Sequence, residues 1–229
     1  MSLMPIISTR EGPSLTYVGT GANADNQSSY TFSAVSFGAP ELGRYMVAAI
    51  AMRDDNSSGQ TNSVTIGGVA ATHVVSLSET FGSSNAVDAS IWIAAVPTGT
   101  SGDVVVDMAT TSGSCGLALY RLTGIASPTA AATASNSTGG ATSLDVSLNT
   151  LNRGMAIGML AVSTTQALGW SGLTEDVETQ VQTGGINANL RFSGASLLLT
   201  ATETPRSISA TLADSADAGT AVVATWTPM

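Results

Sequence analysis

The chain has 229 residues, of which 43% are hydrophobic and 10% are charged, so it can bury a core as one large domain or as two. Sixteen acidic residues stand against seven arginines and no lysine, which gives a formal net charge of −9. This charge balance repels phosphate backbones, and the lack of lysine removes a nucleotide-loop lysine, a Schiff-base lysine and a polybasic membrane patch. The composition therefore predicts neither nucleic acid nor membrane as a partner.

The first residues contain no basic segment followed by an apolar one, so no signal peptide is expected. The longest uninterrupted apolar stretch, residues 45–52, is far shorter than the roughly 18 to 20 residues that cross a bilayer. No transmembrane segment is predicted.

Apolar and polar residues alternate with a period of two in six segments of the first half, which predicts six β-strands. Clusters of Gly, Pro, Asn, Asp and Ser separate these segments, as expected of turns, and no helical period is sustained. The predicted strands cover residues 29–37, 44–52, 69–78, 87–96, 102–109 and 116–124.

The same order of signals returns after a low-complexity bridge, residues 126–141, at an offset of roughly 100 to 110 residues, which indicates an internal duplication. The second set of segments covers residues 142–149, 153–162, 170–179, 186–194, 207–214 and 218–226.

Two repeats of about six short strands predict an all-β fold, a duplicated antiparallel β-sandwich of Ig-like or jelly-roll type. The repeats are expected at residues 1–126 and 127–229. The bridge suits either a flexible linker or an ordered crossing strand, so one pseudo-symmetric sandwich remains the alternative to two tandem ones.

A tryptophan stands among polar residues in the segment 87–96. Strict alternation places Asp88, Ser90 and Trp92 on one face, and aligning the second copy places Arg191 opposite Trp92. This mixed face is interpreted either as a partner-contact surface or as ordinary packing that shields short side chains.

The single histidine, His73, and the single cysteine, Cys115, have no sequence partners for nucleophilic catalysis or for a metal site. Both are predicted to be structural, and no catalytic residue or cofactor is expected.

Asp54, Asn56 and Ser58 alternate ahead of a glycine, like the opening of a calcium loop. The glutamate that would close such a loop is missing, and these residue types also favour turns. No metal site is therefore expected there.

Glu175, Asp176 and Glu178 form the densest acidic group, and paired carboxylates can hydrolyse glycosidic bonds. Alternation would place Asp176 and Glu178 on one face and Glu175 on the other. A solvated strand edge that discourages edge pairing is the simpler interpretation.

The segments SVTIGGVAATHVV, IWIAAVPTGTSGDVVVDM and GLALYRLTG resemble a group of uncharacterised proteins of tailed phages and prophage regions. The resemblance covers chiefly residues 30–124. It implies a virion structural or host-contact protein, located in the virion or, before assembly, in the bacterial cytoplasm.

The sequence leads to three hypotheses about function. The first is a non-enzymatic virion structural, assembly or attachment protein that forms a homo-oligomer or docks on other virion proteins. The second is a carbohydrate-binding module that stacks a surface glycan on Trp92 or Trp170, with the 54–62 loop as its rim. The third is a polysaccharide-active enzyme that uses the carboxylates around Glu175.

Overall fold

The computed structural model describes residues 12–55, 60–182, 189–216 and 218–229. Within these ranges the regular structure consists of seventeen strands, and no helix that could span a membrane occurs. The strands of the first half are β1 (Ser14–Asn23), β2 (Gln27–Ser36), β3 (Tyr45–Asp54), β4 (Thr61–Ile66), β5 (Val69–Ala70), β6 (Thr72–Phe81), β7 (Asn85–Ala95), β8 (Ser101–Ser112) and β9 (Ser114–Thr123). Those of the second half are β10 (Ala132–Thr138), β11 (Ser143–Thr150), β12 (Met155–Val162), β13 (Leu168–Ser171), β14 (Thr174–Gln182), β15 (Leu190–Leu198), β16 (Glu203–Leu212) and β17 (Gly219–Trp226).

Each half of the chain builds two antiparallel sheets. In the first half, β1-β9-β3-β7-β6 form inner sheet 1 and β2-β8-β4-β5 form outer sheet 1. In the second half, β10-β17-β12-β15-β14 form inner sheet 2 and β11-β16-β13 form outer sheet 2. Short β5 pairs with β4, and the chain then crosses at Ala71 so that β6 pairs with β7. With β5 and β6 counted as one interrupted strand, this is the strand order of a jelly roll.

The two halves correspond strand for strand except for β5, which has no counterpart among the described strands of the second half. β1, β9, β3, β7 and β6 occupy the positions that β10, β17, β12, β15 and β14 occupy in the second half, and β2, β8 and β4 match β11, β16 and β13. The prediction of an all-β, duplicated antiparallel β-sandwich is thus confirmed. The sequence pattern missed β1 and β4, and it left open the bridge, whose residues Ala132–Thr138 form the edge strand β10.

The layers stack in the order outer sheet 1, inner sheet 1, inner sheet 2, outer sheet 2. Each outer sheet covers its own inner sheet, and the two inner sheets share a continuous apolar core to which both halves contribute. Val47, Ile91 and Tyr120 enter this shared core from the first half, and Ile157 and Phe192 enter it from the second. The division into two domains, residues 1–126 and 127–229, stays a prediction.

Small residues let the inner sheets approach closely. A Cβ atom added to Gly116 would lie 2.4 Å from the Phe192 ring of the other half. A Cβ atom added to Gly194 would likewise meet the Tyr120 hydroxyl at 2.7 Å. Glycine is therefore required at both positions by the packing between halves.

The buried guanidinium of Arg44 ties together two loops at one end of the first sandwich. Its Nε donates to Val96 O at 2.6 Å, and its Nη2 donates to Thr98 O at 2.6 Å and Gly99 O at 2.9 Å. Its Nη1 donates across to Ala39 O at 2.8 Å. These bonds satisfy carbonyl groups that no strand pairs, so one side chain takes the place of secondary structure there.

Candidate functional site

Trp92 lies inside the first sandwich and is only 7% exposed. Its ring belongs to the core between inner sheet 1 and outer sheet 1, and its indole N–H donates to Ser90 Oγ at 3.1 Å. The His73 ring covers it edge-on, with 4.9 Å between the ring centroids. The hypothesis of a partner contact at Trp92 is therefore wrong, and the packing alternative describes its position.

The neighbouring polar residues of the predicted contact face are also internal. Asp88 is 2% exposed, and Ser90 is fully buried. The reason is that both faces of β7 are covered, one by outer sheet 1 and the other by inner sheet 2. Polar residues on alternate positions indicated a solvated face, whereas here they lie within a core.

The turns before β3 and β12 fix how the two halves align. Gly43 and Arg153 both have positive φ, 78° and 62°, and each lies two residues before its strand begins. Each turn also closes with the same hydrogen bond, from Arg44 N to Glu41 O and from Gly154 N to Leu151 O. Tyr45 therefore corresponds to Met155, whereas the alignment of the two sequence segments pairs Tyr45 with Gly154.

When the strand pairings are followed from these turns, Trp92 is equivalent to Ala195 and Asp88 is equivalent to Arg191 in the other half. The predicted match of Trp92 with Arg191 is wrong by four residues. The cause is that alternating β-segments align almost equally well at several registers.

A second tryptophan takes the equivalent place in the second sandwich from a different strand. The Trp170 indole N–H donates to Ser193 Oγ at 2.9 Å, and Ser193 corresponds to Ser90. Its ring lies over Gly158, where an added Cβ would approach it to 2.9 Å. Trp92 is buried and Trp170 is half-buried against the core of the second sandwich, so neither of the two tryptophans in the glycan hypothesis presents a fully open ring.

Arg191, the fourth residue of the predicted contact, is bound within its own sheet. Its Nε donates to Glu178 Oε1 at 2.6 Å, and its Nη1 donates to Thr165 O at 2.9 Å and to Gln180 Oε1 at 3.3 Å. These bonds fix the guanidinium over the face of β15 that points towards outer sheet 2.

A β-bulge in β14 rearranges the acidic group. The register with β15 shifts between Glu175 and Val177. The residues after Asp176 therefore lie on the opposite face from the one that strict alternation predicts. Glu175 and Glu178 consequently share one face, bound by Ser193 and Arg191 respectively, and Asp176 points to the shared core beside Tyr120. The predicted grouping of Asp176 with Glu178 is wrong for this reason.

The pKa values of these carboxyl groups follow their surroundings. Burial raises the pKa of Glu175, against the hydrogen bond from Ser193, and burial also raises the pKa of Asp176. Burial, followed by the nearby Asp176 charge, raises the pKa of the Tyr120 hydroxyl.

The calcium-loop residues are only partly visible. Asp54 ends β3 and is 1% exposed, whereas Asn56 and Ser58 lie outside the described residues. Within the described ranges, no group of three or more His, Cys, Asp and Glu side chains could hold a metal ion.

His73 lines a cleft of about 430 Å³ between the two halves, together with Thr72, Pro128, Thr129 and Thr133. Cys115 is fully buried in the first sandwich, and burial, with the Asp88 charge adding to it, raises the pKa of its thiol. A thiol in such a setting is unreactive.

The outward surfaces of the outer sheets carry short polar side chains. On outer sheet 1, Asp107 accepts hydrogen bonds from Ser29 Oγ at 2.6 Å and from Ser63 Oγ at 3.2 Å. On outer sheet 2, a shallow depression of about 370 Å³ includes Asp145, Ser147, Ser171, Ser207 and Ser209. We call these two surfaces outer face 1 and outer face 2.

Comparison with known proteins gives little further information. No family model matches the chain, and no curated protein matches it. An anti-sigma factor domain-containing protein is 9% identical with a TM-score of 0.22, covering 88% of this chain and 79% of that one. The X-ray structure of Melon necrotic spot virus is 8% identical with a TM-score of 0.24, covering 93% and 95%. The N-terminal domain of the Streptococcus gordonii adhesin Sgo0707 is 11% identical with a TM-score of 0.13, covering 82% and 50%. At these TM-scores none of the three likenesses supports an assignment of function.

Proposed function

We propose that the chain is a non-enzymatic structural, assembly or host-attachment protein of phage type that acts through its protein surfaces. The observation that carries the proposal is the four-layer block, in which two jelly rolls share one apolar core and expose two outer faces. Such a close-packed block offers two separate docking surfaces to neighbouring subunits. The resemblance of residues 30–124 to phage-associated proteins agrees with this role.

The partners proposed are further copies of this chain or other virion proteins. Outer face 2 is a suitable docking surface because Ser209 lies at its centre, paired across the sheet with Asp145 on one side and Ser171 on the other. Short side chains on a flat sheet lose little conformational entropy on association.

Light scattering of the purified chain over a range of concentrations tests self-association. We expect association that weakens at least tenfold in Ser209→Arg or Thr31→Arg, which place a large charge on outer face 2 and outer face 1 respectively. Ser76→Arg, at an exposed position of β6 outside both faces, is the matched control and should associate normally.

Mass spectrometry of particles purified from the organism that encodes the chain tests the virion role. A chain that is monomeric at every concentration and absent from particles would contradict the proposal. Release of reducing sugar from a polysaccharide, abolished by Glu175→Gln or Glu178→Gln, would instead support the enzyme alternative.

A further inference from the structure

Asp88 is a carboxyl group buried inside the first sandwich. It lies on β7, paired in register with Met52 of β3 and Ser78 of β6, and its side chain is on the face of inner sheet 1 that outer sheet 1 covers. Neither carboxyl oxygen has a hydrogen-bond partner among the described residues. Burying an unpaired carboxylate costs much more free energy than burying the neutral acid.

The groups that face Asp88 provide no positive charge. Asp54 of β3 and the Cys115 thiol of β9 are the titratable groups nearest to it in register on its face of inner sheet 1 within the described residues. His73, Arg121 and Arg44 share this face but lie four or more residues further along the strands. Asp54 is engaged in an interaction of its own. Arg53 lies on the opposite face by alternation, where it pairs with Asp55 at 2.5 Å.

Outer sheet 1, which covers Asp88, adds one titratable group on its inward side in the described residues, the phenol of Tyr30. Burial raises the pKa of Tyr30 to about 12, and its hydroxyl donates to Ser112 O at 2.6 Å, so it carries no charge in this pH range. Asp107 of β8 points outward and is held by Ser29 and Ser63. Glu79 of β6 pairs with Val87 and thus lies on the other face of inner sheet 1. Residues 56–59 have the sequence NSSG, which contains no titratable side chain.

The hydroxyl groups nearest in register are used elsewhere. Ser90 Oγ accepts the Trp92 indole N–H and donates to Thr61 Oγ1 at 3.3 Å. Thr61 Oγ1 in turn donates to Met52 Sδ at 3.5 Å, a weak bond. Neither hydroxyl is bonded to Asp88, so a charged Asp88 is not solvated by them in the closed sandwich.

We propose that Asp88 is a pH switch in the first sandwich, which holds the neutral acid in its core and loosens between outer sheet 1 and inner sheet 1 when the carboxylate forms. This inference does not depend on the proposed function of the chain.

The direction of the pH dependence follows from burial, which raises the pKa of Asp88 to about 7. The same group titrates near 3.9 in an unfolded chain. Between these values the folded state binds the proton and the unfolded state does not, so stability falls as the pH rises from about 4 to about 7 and is level above it. The full linkage corresponds to a loss of up to about a thousandfold in the folding equilibrium constant.

The carboxyl carbon resonances of aspartate, followed by NMR in the intact chain, give a direct test. We expect one aspartate with a titration midpoint between about 6 and 8, and it should disappear in Asp88→Asn. If every aspartate titrates below pH 5, the proposal is wrong.

Hydrogen exchange, corrected for the intrinsic effect of pH, tests the loosening. Protection of amides in β4 and β7 should fall at least tenfold from pH 5.5 to pH 8.5 in the natural chain and in the exposed control Asp145→Asn. It should stay level in Asp88→Asn and in a second variant, Asp88→Ala. A drop that persists in both Asp88 variants would overturn the switch, and the NMR midpoint of the natural chain decides the question if neither variant folds.

Discussion

Trp92 and Trp170 occupy the same place in the two sandwiches although they come from β7 and β13. Each donates its indole N–H to the equivalent serine, Ser90 or Ser193. Trp170 covers Gly158 of the central strand, and Trp92 is paired in register with Ala48 of the equivalent strand. A buried indole needs both volume and an acceptor, and each sandwich meets these needs with a different strand.

Replacing Trp92 by alanine should therefore lower stability and leave the mass in solution unchanged. Removing a buried tryptophan leaves a cavity, and we expect a loss of about 3 to 5 kcal/mol in the free energy of unfolding. Thermal melting beside light scattering measures both effects. His73→Ala, which removes only the exposed ring that covers Trp92, is the control and should cost less. A change in oligomer mass without a lower melting temperature would return Trp92 to a partner contact.

Arg44 is the second residue whose role is structural. Arg44→Met keeps most of the volume but leaves the loop carbonyls of residues 37–39, 96, 98 and 99 without this donor, so we expect a loss of at least about 3 kcal/mol. Arg153→Met is the matched control, because Arg153 is exposed in the equivalent turn of the second half. Equal denaturation midpoints for the two variants would show that the Arg44 bonds contribute no net stability.

Among the strands, β13 is the shortest of outer sheet 2 and depends on a side chain for its position. Glu178 of β14 accepts hydrogen bonds from Leu168 N at 2.7 Å and from Arg191 Nε at 2.6 Å, so one carboxylate holds the start of β13 and the face of β15 together. The bulge at Asp176 is what turns Glu178 towards both groups.

Glu178→Ala should consequently destabilise the end of outer sheet 2 by about 1 to 3 kcal/mol, since it leaves the partly buried Leu168 N–H and the Arg191 Nε–H without their acceptor. Hydrogen exchange at Leu168 and along β13 should rise before the rest of the chain unfolds. The control is Glu175→Ala, which removes a more exposed carboxylate on the same face. Unchanged exchange at Leu168 in Glu178→Ala would count against this role.

At the scale of the whole molecule, the two halves are joined by the core between the inner sheets. Gly116→Val places methyl groups where the Phe192 ring of the other half lies, and overpacking of this kind costs about 1 to 3 kcal/mol. Chemical denaturation should show the loss, and adding Phe192→Leu should restore part of it. Gly19→Ala, whose new Cβ would sit 3.5 Å from Val35, is the control and should be nearly neutral. Additive effects of Gly116→Val and Phe192→Leu would mean that the two positions are not in contact.

Because the two halves share this core, we expect them to stay together when the chain between them is cut. A protease site inserted between Pro128 and Thr129, in an exposed part of the bridge, should allow cleavage without separating the halves, because each would otherwise expose an apolar sheet face. Size-exclusion chromatography of the cleaved chain should give one peak at the original volume. Two folded, separated halves would show that residues 1–126 and 127–229 are independent domains.

The sequence by itself determined the strand content and the duplication. Alternation with a period of two is imposed by the geometry of a strand, and turn residues are imposed by backbone conformation, so both can be read locally. The local pattern identified five strands of the first half, β2, β3, β7, β8 and β9, and also their counterparts in the second half. β1 escaped because a register shift near Gly19 interrupts its alternation.

Only the tertiary structure decided which faces are buried, which register relates the halves, and where the acidic side chains point. A strand pattern cannot show that a second sheet covers its polar face, and so Asp88, Ser90 and Trp92 looked like a surface. Nor can it show a bulge such as that at Asp176, which moves the side chains that follow it to the opposite face of the strand. These features depend on contacts between residues far apart in the chain, and for that reason they are absent from any local pattern.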